Sequence, residues 1–355
     1  MISNKSKIIN TLSRLLEQKD LSRIQKIVQN IKTDIENLSN KKKVPRTIAL
    51  NRKTDNGASK YLLGELNQIR DTRSIERTKY YIQRLIRGLS ETKTGKINDL
   101  NLHTWKEYED ILTDSLWIFE KRNTSGAHKG SYWGNFIPQI PNQLLRRYTK
   151  KGEWVLDAFL GSGTTLIESK RLGRNSVGVE LLRKVANASA KVIDQEDNLY
   201  STRIEIIIGD SSSLDFKHEL HRRKIKSVQF LIMHPPYWDI IRFSKNKRDL
   251  SNAKSLEDFL NLFGKTVDAT YPVLDKGRYF AVVIGDKYSG GNWIPLGFYT
   301  MQEVLKRGYS LKSIIIKNFD ETKGKRNQKE LWRYRALVGG FYIFKHEYIF
   351  LFKKE

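Results

Sequence analysis

The sequence of 355 residues contains no cysteine, so disulfides, thiolate zinc sites and a cysteine nucleophile are all excluded. Long apolar runs are missing as well, since no stretch approaches the roughly 18 residues that a helix needs to cross a bilayer. The first five residues do not begin a secretory signal. Together these absences predict a cytoplasmic protein without covalent cross-links.

Acidic residues are scarce relative to basic ones. The chain has 39 Asp and Glu against 64 Lys and Arg, which gives a formal net charge of +25 and a pI near 9.9. A charge of this size favours a polyanionic partner, and nucleic acid is a better explanation than solubility alone. Nearly half of the excess lies in the first 100 residues, which carry 22 Lys and Arg against 10 Asp and Glu.

The N-terminal part of the chain has the pattern of amphipathic helices. Apolar residues recur at steps of three and four over residues 5–38, with a break near residues 19–22, and again over residues 60–89. We therefore expect two domains. Residues 1–110 should form a basic helical arm that binds nucleic acid or is an accessory region, and residues 111–355 should form the main domain.

From Trp154 onward, candidate strands alternate with candidate helices. This alternation predicts an α/β fold with a doubly wound, largely parallel sheet. Seven strands are expected, at residues 154–159, 176–179, 204–208, 230–233, 279–284, 311–317 and 348–353. In such sheets ligands bind at the carboxyl ends of the strands, which is where Asp157, Glu180, Asp210 and His234 fall.

The first motif reads Asp-Ala-Phe-Leu-Gly-Ser-Gly-Thr-Thr over residues 157–165. A buried strand that breaks at glycines and restarts as a helix brings backbone N–H groups close to a ligand. A triphosphate loop would need Lys where Thr164 stands, and the dinucleotide fingerprint would need Gly where Leu166 stands. With Glu180 available to accept hydrogen bonds from ribose hydroxyls, the motif indicates a nucleoside with a polar tail, and S-adenosylmethionine fits.

The second motif is His234, Pro235, Pro236 and Tyr237, followed by Trp238. Two prolines remove two N–H donors and fix the backbone, so the carbonyls before them stay free to accept hydrogen bonds from an aromatic amine. Tyr237 offers a face on which a flipped base can stack, and Trp238 extends that face. The alternative is an ordinary turn that contains two prolines.

Over residues 113–354 the chain resembles the DNA methyltransferases that modify adenine N6 or cytosine N4. In that family the first motif binds S-adenosylmethionine, and an (Asp/Asn/Ser)-Pro-Pro-(Tyr/Phe) segment holds the target amine. Seven residues match the first motif without a gap: Asp157, Phe159, Gly161, Ser162, Gly163, Thr164 and Thr165. Pro235, Pro236 and Tyr237 match the second motif, whereas His234 departs from it.

The resemblance implies a Rossmann-like, seven-stranded methyltransferase sheet that uses S-adenosylmethionine and no metal. It implies that Asn135, Phe136 and Ile137 cover the donor's amino and carboxyl groups. Asp210, at the end of a third strand, is expected either to bond the donor's adenine amine or to be an ordinary turn aspartate. The expected substrate is double-stranded DNA, with a restriction endonuclease or recognition subunit as a possible partner in a prokaryote or phage. The absence of cysteine excludes methylation at cytosine C5, because that chemistry needs a covalent thiol adduct.

The sequence leaves four points open: the target base, the role of His234, the substrate contacts and the kind of protein. Trp238 favours cytosine N4 slightly over adenine N6, and a neutral His234 ring could accept a hydrogen from the target amine. Residues 239–249 and 317–335 are interpreted as basic loops at the active face. Their proposed substrate contacts are Arg242, Lys245, Lys323, Lys325 and Arg326. An RNA base methyltransferase, or a noncatalytic homologue that binds nucleic acid, remains the alternative.

Overall fold

The computed structural model describes residues 5–40, 55–128, 134–319 and 329–355. The chain divides into two compact units. The first comprises Met1–Lys96 and Leu100–Asp110, and the second comprises Ile97–Asp99 and Ile111–Glu355. The described helices include none that is long and apolar enough to span a membrane.

The described part of the first unit is helical. Its helices are α1 (Lys5–Leu15), α2 (Leu21–Asn40), α3 (Asp55–Arg70) and α4 (Ile75–Ser90). The apolar residues that recur at helical spacing form its core, including Leu12, Ile24, Leu66, Ile82 and Leu85, none of which is more than 1% exposed. The basic side chains are left on the outside, as expected for amphipathic helices.

The second unit alternates strands and helices. Its strands are β1 (Leu116–Trp117), β2 (Trp154–Asp157), β3 (Asn175–Glu180), β4 (Ile204–Ile208), β5 (Val228–Met233), β6 (Leu274–Ile284), β7 (Lys287–Ser289), β8 (Asn292–Ile294), β9 (Tyr309–Asn318) and β10 (His346–Lys354). Its helices are α5 (Gln139–Tyr148), α6 (Thr164–Leu172), α7 (Arg183–Asp194), α8 (Phe216–Arg222), α9 (Leu256–Thr270), α10 (Leu296–Leu305) and α11 (Lys329–Gly339).

Eight of these strands form one sheet in the order β1-β9-β10-β6-β5-β2-β3-β4. Strand β10 is antiparallel to both of its neighbours, and the other pairs are parallel. The predicted doubly wound fold is therefore confirmed, and all seven expected strands lie in this sheet. The sequence did not predict the two-residue edge strand β1 or the β7–β8 hairpin, because both are too short to show a period.

Two apolar layers cover the sheet. On β5, Leu231 and Met233 face one layer, while Phe230 and Ile232 face the other. Helix α9 packs on the first face and helix α5 on the second. Burial on both faces explains why the central strands read as continuous apolar runs.

The strand order reverses between β2 and β5. From β2 the chain moves through β3 to β4 in one direction, whereas β5 continues to β6 in the other. A crevice forms at such a switch point, outside the carboxyl ends of the strands. The glycine motif follows β2 and the Pro-Pro motif follows β5, so both motifs flank this crevice.

Candidate active site

A cavity of about 800 Å³ opens at the carboxyl ends of the parallel strands. Its walls include residues that follow β2, β3, β4, β5 and β6, and residues at the start of the antiparallel β10. Thirteen of the sequence-predicted site residues line it: Asn135, Phe136, Ile137, Phe159, Gly161, Ser162, Thr164, Glu180, Asp210, His234, Pro235, Pro236 and Tyr237.

The glycine motif forms a tight turn between β2 and α6. The Asp157 carboxylate accepts the N–H of Phe159 at 3.0 Å, which ends the strand two residues earlier than predicted. Gly161 and Gly163 have φ of 51° and 82°, in the left-handed region that favours glycine. A Cβ on Gly163 would lie 2.8 Å from Ile193 Cδ1. Glycine at 163 is thus required by both the backbone and the packing.

Glu180 stands at the end of β3 and is held by two backbone donors. Its Oε2 accepts the N–H of Gly161 at 3.1 Å, and its Oε1 accepts the N–H of Leu182 at 3.0 Å. A carboxylate has about four acceptor positions, so capacity remains for ligand hydroxyls. Burial raises the pKa of Glu180 above its ordinary value.

Asp157 lies beneath the loop, with only 1% of its surface exposed, and it is not part of the cavity wall. Burial raises the pKa of Asp157 to about 6, although the Thr165 hydroxyl and the N–H of Phe159 oppose that rise. Gly163 and Thr165 also lie behind the wall. These residues support the loop from below.

The segment before α5 closes over the glycine motif. Thr164, in the first turn of α6, donates its hydroxyl to Asn135 Oδ1 at 2.6 Å. Phe136 is buried, and its ring meets the His234 ring edge to face with 4.8 Å between centroids. Asp210, after β4, lines the opposite wall and accepts the N–H and hydroxyl of Ser212 at 2.9 and 2.7 Å.

These residues fit S-adenosylmethionine. The donor set combines a fixed carboxylate at Glu180, a second one at Asp210 and bare backbone at the glycines, while Phe159 supplies an apolar surface. Carboxylates bind ribose hydroxyls and an exocyclic amine, and the lack of a phosphate-binding lysine in the motif agrees with a ligand that has no phosphate. The described residues hold no cluster of side chains that could bind a metal ion.

At the other side of the cavity, four polar side chains form a continuous chain of contacts. His234 Nε2 lies 3.2 Å from Tyr237 Oη, which donates to Glu347 Oε2 at 2.7 Å. Glu347 Oε1 pairs with Lys317 Nζ at 3.1 Å. Because the hydroxyl hydrogen of Tyr237 points to Glu347, His234 Nε2 is the donor in its own contact, and Nδ1 is the acceptor.

Burial fixes the charge of two groups in this chain. It lowers the pKa of His234 to about 4, so the ring is neutral at physiological pH. Burial and the neighbouring Glu347 raise the pKa of Tyr237 well above its ordinary value, so the hydroxyl keeps its proton. The Tyr237 ring also packs tightly on Gly285, where an added Cβ would lie 2.8 Å from ring atom Cε2.

Several predicted substrate contacts do not line the cavity. Trp238 has a φ of 50°, donates its indole N–H to the Ala253 carbonyl at 3.0 Å and carries Lys287 Nζ 4.0 Å from its ring centroid. Arg242 and Lys245 lie outside the wall. Lys323, Lys325 and Arg326 lie outside the described residues.

The predicted loop over residues 317–335 was wrong at its C-terminal end, where residues from Lys329 form helix α11, whereas Lys317 lies in β9 as the predicted strand at 311–317 has it. The physical reason is that Glu330, Leu331 and Ala336 have high helix propensity, which the count of positive charges concealed. Trp332 of this helix lines the cavity.

Sequence reasoning missed Lys317 and Glu347 as site residues, and it also missed Arg122, which lines the cavity beside Asn135. A signal for the first two was present. Both are charged residues at the ends of apolar strands, and both are buried, with 5% and 7% of their surfaces exposed. A buried charge in a sheet has to be paired, which points to each as the other's partner.

Comparison with known proteins agrees with this geometry. A family model of N6/N4 type, described as a DNA methylase, matches residues 18–191, which include the glycine motif and end before the Pro-Pro motif. The Type II methyltransferase M.MjaII of Methanocaldococcus jannaschii is 37% identical over 84 residues, which cover 21% of this chain and 16% of that protein. The Type II methyltransferase M2.DpnII of Streptococcus pneumoniae is 33% identical over 101 residues, covering 27% and 34%.

The chain thus spans about a third or less of the length of these curated relatives. Among solved structures, TrmN from Thermus thermophilus is 17% identical, with a TM-score of 0.41 over 62% of this chain and 49% of that one. Magnesium protoporphyrin IX methyltransferase from Synechocystis, with bound SAM, is 12% identical, with a TM-score of 0.36 over 58% of this chain and 71% of that one. The resemblance to the DNA amino methyltransferases is confirmed by the family model and the curated relatives.

Proposed function

We propose that this protein, which resembles the DNA amino methyltransferases, transfers a methyl group from S-adenosylmethionine to the exocyclic amine of a flipped base in double-stranded DNA. One observation carries the proposal. A single cavity is lined both by the glycine motif, with Glu180, and by the motif from His234 to Tyr237. The donor and the amine would therefore meet inside one enclosure, as a direct transfer requires.

The bound donor supplies a methyl group on a positively charged sulfur. The chain's own residues then have to orient the amine. The carbonyl of His234 or Pro235 accepts one amine hydrogen, and His234 Nδ1 is available for the other, which leaves the nitrogen lone pair free to attack. The Tyr237 ring supports the base by stacking. The donor would supply the methyl group for the new C–N bond and leave as a neutral thioether, and the amine nitrogen would release one proton to water.

The identity of the base is the finer part of the proposal. Trp238 after the Pro-Pro-Tyr segment favours cytosine N4 over adenine N6. We assign the basic region 1–110 to DNA binding or an accessory role and region 111–355 to catalysis. Arg242 and Lys245, together with Lys323, Lys325 and Arg326, would contact phosphates. We also propose a cytoplasmic location and, as a partner, a cognate restriction endonuclease or recognition subunit.

The test is methyl transfer from isotope-labelled S-adenosylmethionine to duplex DNA and, separately, to total RNA. Digestion followed by mass spectrometry then measures labelled N4-methylcytosine and N6-methyladenine. We expect label in DNA only, chiefly as N4-methylcytosine. A parallel preparation of the Gly161→Trp variant controls for contaminating methylases. Label in RNA alone would instead favour the RNA enzyme, and DNA binding without donor binding would favour a noncatalytic homologue.

A further inference from the structure

Arg122 is a cation inside the cavity without an anionic partner among the described residues. Its Nη1 donates to the backbone carbonyls of Phe136 and Asn135 at 2.9 and 3.3 Å. Its Nε and Nη2 are buried and have no hydrogen-bond partner in the described parts of the chain. Burial lowers the pKa of Arg122 below its ordinary value.

Arg174 and Arg278, two buried arginines of the same unit, are neutralised. Arg174 pairs with Asp99 at 2.9 Å and also donates to Thr149, while Arg278 pairs with Glu153. Burying a guanidinium without an anion costs several kcal/mol, because water no longer solvates the charge. The described residues supply no such anion to Arg122, and a ligand in the cavity would supply one.

The two unpartnered atoms specify the shape of that anion. Nε and Nη2 form one edge of the planar guanidinium, and their two parallel N–H bonds match the two oxygens of a carboxylate. Nη1 is already used to hold the backbone of the segment at Asn135. Asn135 in turn accepts the hydroxyl of Thr164, directly after the second glycine of the motif. Arg122 thus lines the cavity next to the segment that contacts the glycine motif, on the donor side.

We propose that Arg122 binds the α-carboxylate of S-adenosylmethionine through Nε and Nη2. This inference rests on the proposed function, because it presumes that donor. It adds a binding residue that lies upstream of both motifs, and it explains why the guanidinium edge has no partner among the described residues. The competing ligand for the same edge is a DNA phosphate, and variants at this position distinguish the two.

The first measurement uses the unaltered protein. Calorimetric titration with S-adenosylmethionine is compared with titration with its decarboxylated analogue, which keeps the adenosine, the sulfonium and the amino group. We expect the analogue to bind about 10- to 100-fold more weakly, the range for removal of a charged hydrogen-bonded pair. Equal affinities would overturn the role of Arg122 while leaving the donor site in place. Failure to bind S-adenosylmethionine at all would instead overturn the proposed function.

The second measurement uses Arg122→Gln with Arg248→Gln as its control, since Arg248 is exposed yet also lines the cavity. Arg122→Gln should weaken S-adenosylmethionine binding about 10- to 100-fold and leave the analogue's affinity unchanged. Binding of the analogue also shows that the variant is folded. Arg248→Gln should retain the full preference for the carboxylate.

Two outcomes for the variant would overturn the proposal. An equal loss for both ligands would mean that Arg122 only holds the backbone of the segment at Asn135. Unchanged donor binding together with a flatter salt dependence of DNA binding would assign the edge to a phosphate.

Discussion

The two sides of the cavity are built in different ways. On the donor side, contacts join residues close in sequence and use the main chain, as when Glu180 accepts the N–H of Gly161, 19 residues away. On the amine side, contacts join side chains from distant strands, as when Tyr237 reaches Glu347, 110 residues away. The donor side is thus a local backbone structure, whereas the amine side depends on assembly of the sheet.

The two sides also bury different charges. Asp157 beneath the donor loop has a pKa raised to about 6 and is ionised at physiological pH despite its burial. His234 on the amine side has a pKa lowered to about 4 and is neutral there. A buried negative charge suits a cationic donor, and a neutral acceptor suits an amine that becomes positively charged as it reacts.

The largest effect is expected when only the donor side of the cavity is blocked. Gly161→Trp places a bulky side chain in the cavity at a φ of 51°. We expect the affinity for S-adenosylmethionine to fall at least about 100-fold, or about 2.7 kcal/mol, while nucleic-acid affinity stays nearly unchanged. Calorimetric titration measures the first quantity and fluorescence anisotropy the second.

The matched control is Gly152→Trp. Gly152 also has a left-handed backbone, with a φ of 79°, but it faces open space before β2. This variant should lose stability and keep its donor affinity. Equal donor affinity in both variants would show that the glycine motif is not the donor site.

On the amine side, Tyr237 should affect turnover more than donor binding. Tyr237→Ala removes the stacking surface, and we expect turnover to fall about 10- to 100-fold, in line with about 1–3 kcal/mol per stacked base. Tyr237→Phe keeps the ring and removes the hydrogen bonds to Glu347 and His234, so a smaller loss is expected. Single-turnover methylation separates the two variants, and an equal loss in both would assign the role to the hydroxyl.

Glu347→Gln tests whether the side chains act as one unit. Combined with Tyr237→Phe, it should cost little more than the worse single change, because Glu347→Gln weakens the hydrogen bond that Tyr237→Phe removes. Tyr309→Phe is the control, since that hydroxyl is buried at the start of β9 and has no hydrogen-bond partner among the described residues. Fully additive losses would mean that the two residues work independently.

The ionised Asp157 carboxylate should lower the free energy of unfolding, because it is buried. Its folded pKa of about 6 exceeds the ordinary value of 3.8, so the folded state holds a proton that the unfolded state releases between those pH values. Stability therefore falls as pH rises through that window. Asp157→Asn should raise the free energy of unfolding by about 2–3 kcal/mol at pH 8.

The gain should shrink as the pH falls below 6, and urea unfolding at pH 8 and pH 5 measures it. Exposed Asp194→Asn, at the end of α7, is the control and should change little. A variant that is less stable than the parent at pH 8 would contradict a buried, costly charge at Asp157.

His234 should make the methylation rate depend on pH only under acidic conditions. Because its pKa is about 4, single-turnover rates should be flat from pH 8 to pH 5 and should fall near pH 4, where protonation removes an acceptor and adds a charge. His234→Asn keeps an acceptor that does not titrate there, so it should lose this acid limb. If His234→Ala reacts at the parent rate with the parent profile, the ring only packs.

The smallest effect concerns the basic first unit. Replacing Arg23, Lys26 and Arg73 by Gln removes three positive charges from its surface. This change should flatten the dependence of log K on log salt by about 0.9 for each phosphate that the protein no longer neutralises. Donor affinity should not change. Replacing Lys217, Arg222 and Lys226 in and after α8 removes the same charge from the second unit as a control. An unchanged slope in the first variant would assign the unit another role.

The donor side was largely predictable because its signals are local. Asp157, the two glycines and Glu180 stand at strand ends that periodicity and glycine spacing locate directly. The seven strands were predictable for the same reason. The loop predicted over residues 317–335 was wrong in part, because charge content says little about helix formation. Helix α11 begins within that range.

The amine side was only half predictable. Its Pro-Pro-Tyr segment is a local motif, but the partners Glu347 and Lys317 meet it through the antiparallel pairing of β10 with β9, in which these two residues are directly opposite. Strand order cannot be read from a single sequence. Arg122 was missed because an isolated arginine carries no pattern, and only its buried Nε and Nη2 atoms, which have no hydrogen-bond partner among the described residues, distinguish it.

Strand β10 also bears on how the protein folds. It is the last described strand, yet it lies between β6 and β9 instead of at an edge of the sheet. Strands β6 and β9 are both hydrogen-bonded to β10, so neither can complete its pairing until β10 inserts between them. Glu347 arrives with this strand, so the hydrogen bond that holds Tyr237 can form only in the last stage of sheet assembly.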